Sequence, residues 1–132
     1  MLATMDVPFQ ADAAEFAVAA AVENGQPLVL LNVVEMFPTL AAIHFKDVDF
    51  TSAEDAAALR APAELAHSLG VRVERVRVST PHPIDALIET TLERRPGILV
   101  FGPDRQRLKP RRYRKAVRAV RERAPCLVWL SD

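Results

Sequence analysis

The feature of this sequence that most restricts its fold is a pair of mainly apolar segments without a polar face. Residues 27–36 read PLVLLNVVEM and residues 97–102 read GILVFG. Neither shows the alternation of polar and apolar side chains that is typical of a strand with one solvent-facing side. Strands of this kind are buried on both faces, as in parallel sheets covered by helices. The two segments therefore predict a parallel sheet at the centre of the fold.

Three further segments predict the rest of the sheet. Residues 1–6 (MLATMD) are typical of a shorter apolar strand, and residues 126–130 (CLVWL) of a last one. Residues 71–78 (VRVERVRV) alternate between valines and charged side chains except at the adjacent Glu74 and Arg75, which predicts a strand with one exposed face. The sequence therefore predicts five strands.

Helical patterns lie between these strands. The first two, residues 10–24 and 53–69, each end at a glycine, Gly25 and Gly70. The third begins at Pro83, a residue suited to the first helical position. The fourth carries apolar side chains on one face and cations elsewhere. The first helix is rich in alanine, and its larger apolar side chains include Phe16 and Val22.

The alternation of strands and helices predicts a single α/β domain over residues 1–132. We expect an open, mostly parallel, five-stranded sheet with helices on both faces. The one irregular connection, residues 36–52, is about 17 residues long and exceeds the usual loop length. Two interpretations of it stay open, a binding loop or lid and a surface excursion without a ligand.

The charges of the chain are balanced but unevenly distributed. There are 17 basic and 17 acidic residues, and half of all residues are apolar, which is typical of a globular protein. Ten of the 17 basic residues lie between Arg105 and Arg123. Any anion-binding surface is therefore expected in that segment. Interaction with nucleic acid through the basic C-terminal helix is the least expected alternative, because the overall charge is balanced.

The sequence favours a cytoplasmic location. The chain begins without the charged and then apolar pattern of a secretion signal, and no apolar run approaches the roughly 18 residues of a membrane span. Its single cysteine, Cys126, cannot form a disulfide within the chain. We therefore expect no membrane partner.

No pattern in the sequence predicts catalysis or a metal site. The three histidines, His44, His67 and His82, are scattered and form no pair at the helical spacing of a metal site. Cys126 lies at the entry of a predicted strand, where we expect an inert thiol rather than a nucleophile. The prediction is a protein that is not an enzyme, with slow ATP hydrolysis as the alternative that stays open.

Six segments, taken in order, resemble the universal stress protein family over essentially the whole chain. They are LATMDVP, LLNVVE, LGVRVERVRV, HPIDALIE, GILVFG and RAPCLVWL. The most specific is the last, in which Ala124, Pro125, Cys126 and Val128 match the Ala-Pro-Cys-Pro-Val-like turn of the family. The resemblance implies a Rossmann-like sheet, related to the adenine nucleotide alpha hydrolases, in which the first and fourth strands are central neighbours. Ligands of such sheets bind in the crevice beyond the carboxyl ends of the strands.

The resemblance also implies candidate residues for a nucleotide in that crevice. In the ATP-binding branch of the family, an aspartate matching Asp6 contacts the ribose and the backbone at a residue matching Val33 contacts the adenine. Met5 would line the site or belong to the core. The alternative for Asp6 is a structural carboxylate that caps the turn after the first strand.

The phosphate-binding pattern of that branch, Gly-x-x-Gly-x9-Gly-Ser/Thr, is incomplete in this chain. Gly102 matches its first glycine, but the second falls on Arg105. Counted forward, the final pair falls on Lys115 and Ala116; counted back from the end of the chain it falls on Arg114 and Lys115. Glycines are needed there because the backbone must turn sharply and present N–H groups to phosphate. The usual phosphate cradle is therefore not expected to form.

No cofactor is firmly predicted, and two interpretations of the basic segment stay open. We expect a regulatory or binding domain in stress response or signalling, with a solvated basic surface and no standard ATP site. The alternative is a site for ATP, AMP or another phosphate-containing anion, in which arginine side chains such as Arg105 replace the backbone amides. A homodimer through residues 126–131 is the expected assembly, because an apolar edge strand tends to be paired.

Overall fold

Strands and helices alternate along the chain, as the sequence predicts. The structure is a computed structural model and describes residues 1–36 and 53–131, so most of the long connection 36–52 lies outside the described residues. The strands are β1 Leu2–Met5, β2 Leu28–Glu35, β3 Val73–Thr80, β4 Ile98–Phe101 and β5 Leu127–Leu130. The helices are α1 Ala11–Asn24, α2 Ala53–Ser68, α3 Pro83–Arg94 and α4 Pro110–Arg123.

The five strands form one parallel sheet in the order β3-β2-β1-β4-β5. Strand β1 lies at its centre, where Ala3 is level with Leu31 of β2 on one side and Phe101 of β4 on the other. This confirms the expected neighbourhood of the first and fourth strands. The carboxyl ends of β1, β2 and β4 therefore meet at one edge of the sheet.

The sheet is covered on both faces, and each face has its own apolar core. One core lies under α1 and α2 and includes Leu2, Val18, Leu30 and Ala66. The other lies under α3 and α4 and includes Ala3, Leu31, Leu87 and Val120. Successive residues of one strand serve opposite cores because side chains alternate across a sheet.

The two edges of the sheet differ in character. In strand β3 the three valines and Thr80 are partly buried and the other residues are exposed, which agrees with the expected strand with one exposed face. Strand β5 forms the other edge, and Leu127 at its start is 72% exposed. The ring of Trp129 stacks on the ring of Phe16 in α1, with the two centroids 4.6 Å apart.

No helix in the described part of the chain is long and apolar enough to cross a membrane.

Candidate functional site

The candidate site is the crevice at the carboxyl ends of the central strands. Asp6 follows β1 directly and adopts a left-handed backbone conformation, with φ at 65°. Aspartate tolerates this conformation better than most residues do. The Asp6 N–H donates to the carbonyl of Val33 at 2.9 Å, and its Oδ1 accepts a hydrogen bond from the N–H of Glu35 at 2.7 Å. Asp6 therefore ties the end of β1 to the end of β2.

A guanidinium from α4 lies between the two acidic side chains of the crevice. Nη2 of Arg112 lies 2.5 Å from Oδ2 of Asp6, and Nη1 pairs with the carboxylate of Glu35. Only 34% of the Arg112 side chain is exposed, and 23% of each carboxylate side chain. Such partly desolvated, charge-assisted pairs are stronger than pairs at the open surface. The three side chains form a cluster that we call the Asp6–Arg112–Glu35 triad.

Gly102 ends β4 beside the triad, and its missing side chain is used for packing. A Cβ added there would lie 2.1 Å from the Cβ of Ala13 in α1, far inside any permitted contact. The Gly102 N–H donates to the carbonyl of Ala3 at 3.0 Å, and the Gly102 carbonyl accepts from the N–H of Gln10 at 2.8 Å. The close approach of α1 therefore requires glycine at this position, and both of its backbone groups are hydrogen-bonded within the protein.

The loop that follows Gly102 directs its backbone N–H groups into the protein. The N–H of Asp104 donates to the Pro8 carbonyl at 2.8 Å, and that of Arg105 to Oε1 of Gln10 at 3.3 Å. The next three, in residues 106–108, all donate to oxygens of Asp104. Prolines have no N–H, so every backbone N–H from residue 102 to 108 has an acceptor within the protein. A phosphate would find no free amide there.

The side chain of Arg105 is also engaged. Its guanidinium carbon lies 4.3 Å from the centroid of the Tyr113 ring, which is the geometry of a cation–π contact. The ring in turn stacks on Phe101 at 6.0 Å, and the Tyr113 hydroxyl donates to the carbonyl of Ser131 at 3.2 Å. Arg105 therefore covers the edge of the core on this side of α4.

The described residues offer little other chemistry. They include no group of three or more His, Cys, Asp or Glu side chains that could hold a metal ion. Burial raises the pKa of the Cys126 thiol, although a hydrogen bond from the Leu99 backbone and the charge of the chain's amino group oppose the shift. A raised pKa keeps the thiol protonated and makes it a poor nucleophile near neutral pH.

Comparison with known proteins decides the family. A family model described as "Universal stress protein family" matches residues 1–131. The chain belongs to the universal stress protein family. Among curated proteins, no sequence gives a significant match.

Solved structures of universal stress proteins share the fold. One from Lactobacillus plantarum is 17% identical, with a TM-score of 0.67 over 99% of this chain and 97% of that one. One from Burkholderia pseudomallei is 18% identical, with a TM-score of 0.62 over 98% and 94%. A third, from Archaeoglobus fulgidus in complex with dAMP, is 18% identical, with a TM-score of 0.59 over 98% and 94%. Identities this low establish the fold alone.

Within this universal stress protein fold, the structure brings some of the predicted site residues together. Asp6, Val33 and Gly102 lie at the same edge of the sheet, and the first two are joined by a hydrogen bond. Met5 and Val33 are fully buried in the core under α3 and α4. These residues border the crevice at which the family resemblance places a nucleotide.

The predicted residues of the basic segment point in different directions. Ala116 is fully buried against the sheet, whereas Lys115 is exposed. The guanidinium of Arg105 lies on the ring of Tyr113. Tyr113 and Lys115 are two positions apart in α4, so their side chains project about 200° apart around the helix. Arg105 and Lys115 therefore lie on different sides of α4 and do not meet at one phosphate position.

Sequence analysis missed Glu35 and Arg112, which complete the triad. One signal for them is present in the sequence, because Asp6 and Glu35 both end adjacent parallel strands. Two carboxylates at one edge repel each other unless a cation lies between them. The choice of Arg112 among ten clustered cations depends on the position of α4, which no local pattern encodes.

Proposed function

We propose that this chain is a non-catalytic regulatory or binding domain whose crevice does not hold ATP in the manner of the family's glycine pattern. The observation that carries the proposal is the use of every backbone N–H from residue 102 to 108 within the protein. Phosphate binding by a loop before a helix depends on such amides being free. To bind there, a triphosphate would first have to break these hydrogen bonds.

The Asp6–Arg112–Glu35 triad supports the same proposal. Both oxygens of the Asp6 carboxylate already have a partner, Oδ1 the N–H of Glu35 and Oδ2 the guanidinium of Arg112. Displacing either partner to admit a ribose would leave a partly buried polar or charged group without its partner, which costs free energy. Asp6 thus has the role of a structural carboxylate that caps the ends of two strands.

The alternative is a nucleotide-binding protein with an arginine-lined phosphate site. The neighbour from Archaeoglobus fulgidus was solved in complex with dAMP, and one from Arabidopsis thaliana with AMP bound. In this chain, however, Arg105 is engaged with Tyr113, which does not favour its use as a phosphate ligand. The first proposal therefore fits the geometry better.

Calorimetric titration with ATP distinguishes the two proposals. For the native chain we expect no saturable heat at ATP concentrations up to about 1 mM, which corresponds to less than roughly 4 kcal/mol of binding free energy. The comparison variant is Arg105→Ala. Micromolar, saturable binding by the native chain that is lost in this variant would contradict the proposal and support the arginine-lined site.

We further propose that the domain is a homodimer paired through β5. This edge strand leaves Leu127 72% exposed and three following residues half-buried, and exposed apolar edges favour pairing with another strand. Light scattering on the native chain and on Leu127→Lys tests this. We expect a dimer that the substitution converts to a monomer, with Leu92→Lys, on an exposed helix position, as the matched control. A native chain that is monomeric at high concentration would refute the dimer.

The role in stress response or signalling and the cytoplasmic location rest on the sequence and remain predictions.

A further inference from the structure

A groove between α3 and α4 lies next to the crevice but is separate from its glycine loop. Its volume is about 440 Å³, and small-molecule sites commonly measure roughly 300 to 1,000 Å³. We call it the α3–α4 groove and define it by the residues that matter here: Pro83, Ile84, Arg112, Lys115, Ala119 and Arg123. It shares Arg112 and the neighbouring Glu35 with the triad.

Three cations reach the α3–α4 groove from a single helix. Arg112, Lys115 and Arg123 all belong to α4 and line the same groove, together with Ala119. Arg112 is held in place by Asp6 and Glu35, yet a guanidinium has five N–H donors and these two contacts do not use them all. The groove therefore contains one donor group whose orientation is already fixed.

The charges of the groove are not fully compensated. Arg123 pairs with Asp85 at 2.9 Å, but both side chains are about half exposed, so this pair is weak and can be exchanged for a stronger partner. Lys115 is exposed and has no ion-pair partner within the described part of the chain. Arg112 is paired with both Glu35 and Asp6, and Arg123 with Asp85, so Lys115 is the one cation of the groove that no carboxylate among the described residues compensates. The groove therefore favours an anion.

The floor of the groove is apolar. Pro83 is buried, and Ile84 and Ala119 are partly buried beside it. Apolar surface with a few converging polar groups is typical of sites for organic molecules rather than for simple ions. A ligand that uses the whole groove would combine an anionic group with a compact apolar part.

We propose that the α3–α4 groove binds a small organic phosphate monoester. Its phosphate lies between Lys115 and Arg123 and accepts hydrogen bonds from both, in place of the Asp85 carboxylate at Arg123. Its apolar part lies on Pro83 and Ile84. This site goes beyond the proposed function, because it uses neither Gly102 nor the loop after it.

The proposal is tested by NMR titration of the full chain with phenyl phosphate, which joins one phosphate to a flat apolar ring. We expect saturable shifts of the amide resonances of Ile84, Asp85 and Ala119. Lys115→Gln should raise the dissociation constant at least about tenfold, because losing a charged hydrogen bond costs roughly 1.4 kcal/mol of binding free energy. Arg121→Gln removes an equally exposed cation outside the groove and should change it by less than about twofold.

Two further probes separate the parts of the ligand. Inorganic phosphate should bind the same residues more weakly, and benzyl alcohol should not bind. The proposal is overturned if phenyl phosphate gives no saturable shifts, or if Lys115→Gln and Arg121→Gln weaken binding equally, which would indicate diffuse attraction to the basic helix. Neither result would affect the proposal that the crevice does not hold ATP, which concerns other backbone groups.

Discussion

The guanidinium of Arg112 lies 2.5 Å from the carboxylate of Asp6, and this contact joins the first turn of α4 to the end of the central strand. The same guanidinium pairs with Glu35 at the end of the adjacent strand. One side chain thus links three elements at the edge of the sheet where related folds bind ligands. In this chain the ends of the two strands are bridged by these side-chain contacts.

Loss of Arg112 is expected to destabilise the fold. Arg112→Ala leaves Asp6 and Glu35 close together without a cation, and we expect a loss of about 2 kcal/mol in the free energy of unfolding. This lies between the value for an exposed ion pair and that for a buried one. Chemical denaturation measures it.

The matched control is Arg118→Ala, which breaks a pair with Glu122 whose side chains are 80% and 60% exposed. We expect it to change the stability by no more than about 0.5 kcal/mol. Equal effects of the two substitutions would show that the triad has no special role.

Substitution of Gly102 is expected to disturb the packing of α1. Gly102→Ala places a Cβ against Ala13 and should cost about 1 to 3 kcal/mol in the free energy of unfolding. Gly97→Ala, where an added Cβ meets no atom within 4 Å, should stay within about 0.5 kcal/mol of the native chain. Chemical denaturation of the two variants measures these losses, and equal losses would contradict the prediction.

A second variant identifies the cause. If the clash with Ala13 is responsible, Gly102→Ala should cost clearly less in an Ala13→Gly background than in the native chain. Purely additive effects would mean that the cost arises elsewhere.

Ser131 is expected to anchor the end of the chain's last strand. It is 2% exposed, and its hydroxyl donates to the Asp12 carboxylate at 2.8 Å. Ser131→Ala should cost about 2 kcal/mol in thermal or chemical unfolding, because the hydrogen bond is to a charged group. Ser68→Ala is the control, since that hydroxyl donates to a carbonyl of its own exposed helix end. A loss no larger than in this control would contradict the role of Ser131.

Cys126 predicts how stability depends on pH above neutrality. Burial raises the pKa of its thiol in the folded state above the value of 9.0 for a free thiol. As the pH rises through 9.0, the unfolded chain loses this proton while the folded chain keeps it, so the free energy of unfolding falls.

The comparison that isolates this effect is between the native chain and Cys126→Ala, each unfolded by denaturant at several pH values from 7 to about 10. The native chain should lose stability more steeply above pH 9.0. Parallel profiles of the two proteins would show that the thiol is not responsible.

The sequence predicts the elements of this fold well because its inner strands are mainly apolar and its helices have clear ends. β2 was expected at residues 27–36 and is found at Leu28–Glu35, and the first two helices end at Gly25 and Gly70 with positive φ. The expectation that the first and fourth strands are neighbours came from the resemblance to a family, since periodicity along the chain contains no information about neighbours in a sheet.

Helix α1 shows what periodicity does not predict. Its larger side chains Phe16 and Val22 remain 36% and 44% exposed, while four alanines and Val18 form its buried face. At Ala13 the contact is so close that a Cβ at position 102 would clash with it. The packing of this face of α1 therefore depends on a glycine far away along the chain.

The candidate site could be predicted only in part, because some of its contacts join residues that are far apart along the chain. Asp6, Val33 and Gly102 follow strands, and the carboxyl ends of parallel strands meet at one edge, so their neighbourhood follows from the order of elements. The contacts of Arg105 and Arg112 depend on the rotation of α4 against the sheet. The sequence pattern does not distinguish these two arginines, because both lie in one segment that contains many arginines.

The most direct test of the proposal that the crevice does not hold ATP is a crystal structure of the full chain grown with ATP and Mg²⁺. We predict that the Arg112 guanidinium lies between Asp6 and Glu35, with no nucleotide density at Val33 or Gly102. Adenosine density between Asp6 and Val33, with Arg112 displaced from both carboxylates, would contradict the account.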